Sequence, residues 1–115
     1  MTLRPTNCPW GYFSILHEAA DYKVKEIVIN PHHRLSYQWH YKREEFWTII
    51  EGNAKVTLND EIHLLQAGSQ IHIPKMAKHR IENPLETTLR IIEIQRGTYF
   101  GENDIVRIAD DYNRI

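Results

Sequence analysis

The chain has one cysteine, Cys8, so it forms no internal disulfide and offers no thiolate cluster for a metal. It has no run near the roughly 18 apolar residues that a membrane-spanning helix needs. Its start, Met1-Thr2-Leu3-Arg4-Pro5, lacks the apolar stretch of a secretory signal, so the expected location is cytoplasmic with no membrane partner. Fourteen Lys and Arg against fifteen Asp and Glu leave a formal charge of −1 without a basic block, and no nucleic-acid partner is expected. Glycine and proline are scarce, at five each, which argues against linkers and low-complexity tracts. What remains is 115 residues, 42% of them hydrophobic, enough for one packed domain without staples.

Short alternating or β-branched runs dominate from Tyr22 onward. They read as strands over Tyr22–Asn30, Arg34–His40, Phe46–Glu51, Ala54–Leu58, Ile62–Leu65, Ile71–Ile73, His79–Glu82 and Thr88–Arg96. Asn30-Pro31, Gly52-Asn53, Asn59-Asp60, Ala67-Gly68 and Asn83-Pro84 supply turn chemistry between them. No long helical stripe exists, although Ser14–Ala20 and Asp110–Arg114 have room for a helical turn or two. The expected fold is all-β, one domain over 1–115, with a core at about 22–96, an N-terminal arm 1–21 and a C-terminal tail 97–115.

Period 2 along Arg34–His40 aims Gln38 and His40 to one face. Glu45 opens the next strand five residues beyond His40, and His79 opens another after Pro74. An amide oxygen, two imidazoles and a carboxylate suit a divalent ion, zinc foremost, with manganese, iron, nickel or cobalt compatible with the ligand types.

These residues carry a family resemblance. Gln38-x-His40-x4-Glu45-x6-Gly52 and Gly68-x5-Pro74-x4-His79-x3-Asn83 resemble the two cupin motifs, with Gln38 in place of the first histidine, and His32 and Met76 in place of two glycines. The chain from Pro9-Trp10-Gly11-Tyr12 through Ile92-Glu93-Ile94-Gln95-Arg96-Gly97, Gly101–Arg107 and Asp111-Tyr112 further resembles the C-terminal isomerase domain of type II mannose-6-phosphate isomerase/GDP-mannose pyrophosphorylases. It departs where the family usually has Arg before Pro-Trp-Gly (here Cys8) and Tyr-Gly-Arg near the end (here Tyr112-Asn113-Arg114).

The resemblance implies a small antiparallel jelly-roll barrel, a homodimer, and metal-dependent interconversion of mannose 6-phosphate and fructose 6-phosphate through an enediol. Such a reaction needs a base, for which Lys25, His72 and Glu93 are candidates by their strands; the sequence does not choose among them. It also needs an anion site, for which Arg43 and Arg107 are preferred, while Lys25, Arg34, Arg80 and Arg114 are further cations. Gln95 shares a face with Glu93, and Trp47 shares one with Glu45, so both are candidate substrate contacts. Two rival readings stay open: a non-catalytic sugar or sugar-phosphate binding module, which the Cys8 and Asn113 departures favour, and a cupin dioxygenase, which Gln38 disfavours.

Overall fold

The structure, a computed structural model, describes residues 4–114. It contains eleven strands: β1 (Thr6–Cys8), β2 (Gly11–Glu18), β3 (Tyr22–Ile29), β4 (Tyr37–Trp39), β5 (Arg43–Glu51), β6 (Asn53–Leu58), β7 (Glu61–Gln66), β8 (Gln70–Ile73), β9 (His79–Glu82), β10 (Leu89–Gly97) and β11 (Val106–Ala109). They form two antiparallel sheets, of order β1-β2-β3-β10-β5-β8 and β11-β4-β9-β6-β7, which face one another as the jelly-roll resemblance implies. No helix of the described residues is long and apolar enough to cross a membrane.

All eight expected strands are present, and the arm and the tail add β1, β2 and β11 to the two sheets. The segment with room for a helical turn at Ser14–Ala20 is instead mostly β2, because Gly11 to Glu18 pair with β3, with a bulge at Leu16, and bury Gly11 and Ser14. The tail forms a 3-10 turn at Glu102–Asp104 and then β11, which pairs with β4. Arg34 holds the tail beyond β11 through two bonds to Asp111, at 2.7 and 3.0 Å.

Each central strand changes chemistry along its inward face. On β10 the buried positions run Leu89, Ile91, Glu93, Gln95; on β5 they run Arg43, Glu45, Trp47, Ile49; on β3 Lys25 is followed by Ile27 and Ile29. Antiparallel register aligns the apolar ends with one another, and with Ala54, Val56 and Ile81 of the opposite sheet they make the core. The same register collects the polar ends at one mouth of the barrel: Lys25 and Trp47 flank Glu93, and Glu45 lies opposite Gln95.

The two lost motif glycines leave their turns intact. His32 and Met76 both adopt left-handed backbone, at φ 59° and 64°. Gly52 does require glycine: it has φ 87°, and a Cβ there would lie 2.4 Å from the Thr88 carbonyl oxygen.

Candidate metal centre and adjoining pocket

His40 follows β4, Glu45 lies on β5 and His79 opens β9, and all three are buried. One ligand-capable atom from each lies within 4.8 Å of the others. Backbone carbonyls set both imidazoles: Nδ1–H of His40 donates to Asp104 O at 3.1 Å, and Nδ1–H of His79 donates to Ala77 O at 2.9 Å. A carbonyl only accepts, so each ring turns its Nε2 lone pair toward Glu45, the tautomer and orientation a metal ligand needs. The Nε2 atoms lie 3.4 Å (His40) and 3.6 Å (His79) from the Glu45 oxygens. Gln38 sits directly opposite His79 in the β4–β9 pair, and its Oε1 accepts from Ser36 Oγ at 2.7 Å.

Burial, and then the neighbouring charge of Arg43, push His40 down to about 3, so its ring is neutral. Burial works against charge on both carboxyls of the site, and they resolve it oppositely. At Glu45 burial is outweighed by the Arg43 charge and by hydrogen bonds, which hold the group below the usual carboxylate range. Burial, and then the Glu45 charge, hold Glu93 above that range. The indole Nε1–H of Trp47 bridges them, 3.2 Å from Glu45 Oε1 and 3.0 Å from Glu93 Oε2, and Gln95 Nε2 donates to Glu93 Oε1 at 2.6 Å. Two carboxyls driven apart in this way provide one fixed negative charge and one group able to hold a proton.

A pocket of about 90 Å³ adjoins this centre, with Lys25, Gln38, Arg43, Glu93, Gln95, Arg107 and Arg114 on its polar wall and Cys8, Trp10, Phe13, Leu35 and Ile105 among the remainder. Lys25 is buried with its Nζ 4.3 Å from the Phe13 ring centroid. Arg114 is positioned by Asp110, which accepts from its Nε at 2.8 Å and its Nη2 at 3.0 Å. Among the described residues, the buried side-chain polar atoms without a hydrogen-bond partner are His79 Nε2, Gln95 Oε1 and Arg107 Nε. Buried polar groups are almost always satisfied, and these three unsatisfied atoms lie together in the centre and its pocket wall.

The structure therefore gathers Gln38, His40, Glu45, His79, Lys25, Glu93, Gln95, Trp47, Arg43 and Arg107 at one mouth. It removes His72. Ile73 beside it points inward, so His72 points outward, stacks on Phe46 at 4.6 Å and bonds Glu44 at 2.7 Å. As a candidate base His72 is corrected: it lies on the other face of the sheet, because neighbours on a strand face opposite ways. Asp104, whose backbone orients His40, is not among the expected site residues, and Arg114 joins the preferred cations Arg43 and Arg107 in the pocket wall. Asp104 carries no local signal, since its partner lies far along the chain, whereas Arg114 lies next to the Asp111-Tyr112 match.

A family model described as mannose-6-phosphate isomerase C-terminal matches residues 2–110. The chain is 41% identical over 107 residues to a mannose-1-phosphate guanylyltransferase of Escherichia coli K12, covering 93% of this chain and 22% of that protein. It is likewise 41% identical over 106 residues to the alginate biosynthesis protein AlgA of Pseudomonas aeruginosa, covering 92% and 22%. The chain thus spans about a quarter or less of the length of these curated relatives. In structure it resembles the capsular polysaccharide assembling protein CapF of Staphylococcus aureus (TM-score 0.82, 20% identity, 95% of this chain and 33% of that one). It also resembles oxalate decarboxylase of Bacillus subtilis (TM-score 0.80, 21% identity, 92% and 30%), and both likenesses establish the cupin fold.

These relatives correct the expected activity. Proteins about 40% identical to the chain bear the name mannose-1-phosphate guanylyltransferase, and the matching segment is a minor part of each, so a stand-alone mannose 6-phosphate/fructose 6-phosphate isomerase is not what the comparisons support. The relatives are enzymes of mannose metabolism and polysaccharide biosynthesis. With a family match over residues 2–110 and a cupin fold, the chain belongs to the mannose-6-phosphate isomerase C-terminal family.

Proposed function

We propose that the chain is a metal-holding, sugar-phosphate-recognising domain that serves mannose-1-phosphate guanylyltransferase, in the cytoplasmic supply of activated mannose for polysaccharide. The observation that carries this reading is the set of three buried orphans, an imidazole lone pair, an amide oxygen and a guanidinium N–H, at a metal-type donor set and its neighbouring pocket. The names of the relatives supply the sugar.

His40, Glu45 and His79 hold the ion with Gln38 as the fourth ligand. Zinc suits two imidazoles, a carboxylate and an amide oxygen, and manganese or cobalt suits the same set. When bound, the ion supplies Lewis acidity toward a sugar oxygen. The chain's own residues do the recognition. Arg107, with its free buried Nε–H, and Arg114, held by Asp110, take the phosphate through charge-assisted bonds, and Lys25 adds a third positive charge. Gln95 Oε1 accepts from a sugar hydroxyl, and Glu93 bonds to another. Trp10, Phe13 and Leu35 exclude water from the sugar's apolar face.

The test is metal analysis of the dialysed and reloaded protein, followed by calorimetric titration with mannose 6-phosphate, mannose 1-phosphate and unphosphorylated mannose. One bound ion and phosphate-dependent sugar binding are expected. Absence of metal uptake, or equal response to mannose and its phosphates, overturns the reading.

A further inference from the structure

His40 has one inward lone pair and two claimants for it. Its Nδ1 carries the proton donated to Asp104, so Nε2 is an acceptor, and Arg43 Nη2, which only donates, lies 3.2 Å away. The same guanidinium donates from Nε to Glu45 Oε2 at 2.9 Å, and its Nη1 reaches the Phe100 carbonyl at 3.5 Å. Arg43 therefore grips two of the three groups that a metal would use and leaves the third, His79 Nε2, without a partner. A neutral imidazole nitrogen has a single lone pair, so it cannot accept Arg43 Nη2–H and bind an ion at once.

The displaced guanidinium also has somewhere to go. Arg43 is part of the pocket wall, together with Glu93, Lys25 and Arg107. Its fork of donors, once off His40 and Glu45, faces the space where an anion would sit.

We propose that Arg43 is the built-in occupant of the metal cradle: guanidinium and divalent ion exclude one another at His40 Nε2, and metal loading delivers the Arg43 fork to the pocket as an anion-binding group. This rests on the metal reading above. In the metal-free protein the buried Glu45 charge stays compensated by Arg43, which removes the cost of an isolated buried carboxylate. Metal affinity is lowered by the work of displacing Arg43, and an anion that holds the released fork raises metal affinity by the factor by which the metal raises its own.

The experiment is a zinc titration of the nitrogen-15-labelled chain by NMR, following the Arg43 Nε–H signal assigned through its own backbone connectivity, beside zinc affinities of wild type and Arg43→Gln by chelator competition. In the metal-free protein the signal should exchange slowly with water, and one equivalent of zinc should shift it and expose it. Arg43→Gln should bind zinc about tenfold more tightly, a usual size for coupling between two binding events. A zinc-saturated wild type that keeps the Arg43 Nε–H signal in place and protected overturns the delivery of the fork to the pocket, since charge repulsion alone would leave the Nε–H bond to Glu45 intact. An unchanged affinity in a folded Arg43→Gln overturns the exclusion. If wild type takes up no zinc, the metal reading fails and the proposal with it, whether or not Arg43→Gln binds the ion.

Discussion

His40 donates its Nδ1–H to the backbone carbonyl of Asp104 at 3.1 Å, and the Asp104 carboxylate in turn accepts the backbone N–H groups of Tyr41 at 3.2 Å and Lys42 at 3.0 Å. The short turn of the tail thus clamps the loop that carries His40, and Asp104 acts as a positioning residue. Asp104→Ala removes the carboxylate and frees the loop. Metal affinity should fall by about ten- to a hundredfold, the usual effect of losing support behind a ligand, while circular dichroism stays that of the folded barrel. Competition titration with a chromophoric chelator measures it.

The ligands themselves should behave as a set. Gln38→Ala, His40→Ala and His79→Ala should each reduce metal content, and removing the ion from wild type with a chelator should lower the unfolding temperature. With free ion at a hundred times its Kd the bound state gains about 2.7 kcal/mol, which for a domain of this size is a shift of about 10 °C or more. Calorimetric scans with and without chelator check this. Unchanged metal content in all three variants would exclude the site.

Cys8 stands in the pocket wall with Arg107 and Arg114, at the position where the family resemblance implies arginine. Cys8→Arg should tighten mannose 6-phosphate binding by about tenfold, since one hydrogen bond to a charged partner is worth about 1.5–3 kcal/mol and part of that is lost to crowding of like charges. Titration of both proteins at two salt concentrations reads the effect, which should shrink at high salt.

Met76 is exposed and adopts φ 64°, while its N–H donates to the His40 carbonyl at 2.8 Å. Met76→Gly relieves left-handed strain of about 1–2 kcal/mol and costs part of this in unfolded-chain entropy. A net gain of about 0.5–1 kcal/mol is expected in urea unfolding, with metal affinity unchanged.

Asp110 is held down to about 2 from 3.8 by its hydrogen bonds with Arg114, despite burial that opposes the charge. A folded-state value below the unfolded one contributes stability above about pH 4, and that contribution is lost as pH falls from 3.8 through about 2. Wild type should therefore exceed Asp110→Asn in urea stability at pH 5, and the two curves should converge near pH 2. The variant should also bind mannose 6-phosphate more weakly at neutral pH, because Arg114 loses its anchor.

The strands from Tyr22 to Arg96 were legible because each rests on local alternation and turn chemistry, and the meeting of His40, Glu45 and His79 was legible because they stand at cupin spacing. Lys25 and Glu93 shared the status of base candidate with His72 until register separated them: Lys25 and Glu93 face each other in the β3–β10 pair, inward, while His72 faces out behind Ile73. Ser14–Ala20 mixes residue types that suit either a turn of helix or a strand, and pairing with β3 decides for the strand.

The sequence by itself determined an all-β cupin domain, its metal-type donor residues, and the departures at Cys8, His32, Met76 and Asn113, since these depend on identity and short spacing. Tertiary structure decided which of the charged residues meet. It placed Arg43 against His40 and Glu45, set Asp104 behind His40, and aligned Arg107, Gln38 and His79 across β11, β4 and β9. Such relations depend on the register between strands remote in the chain, where a shift of one residue turns every side chain to the other face.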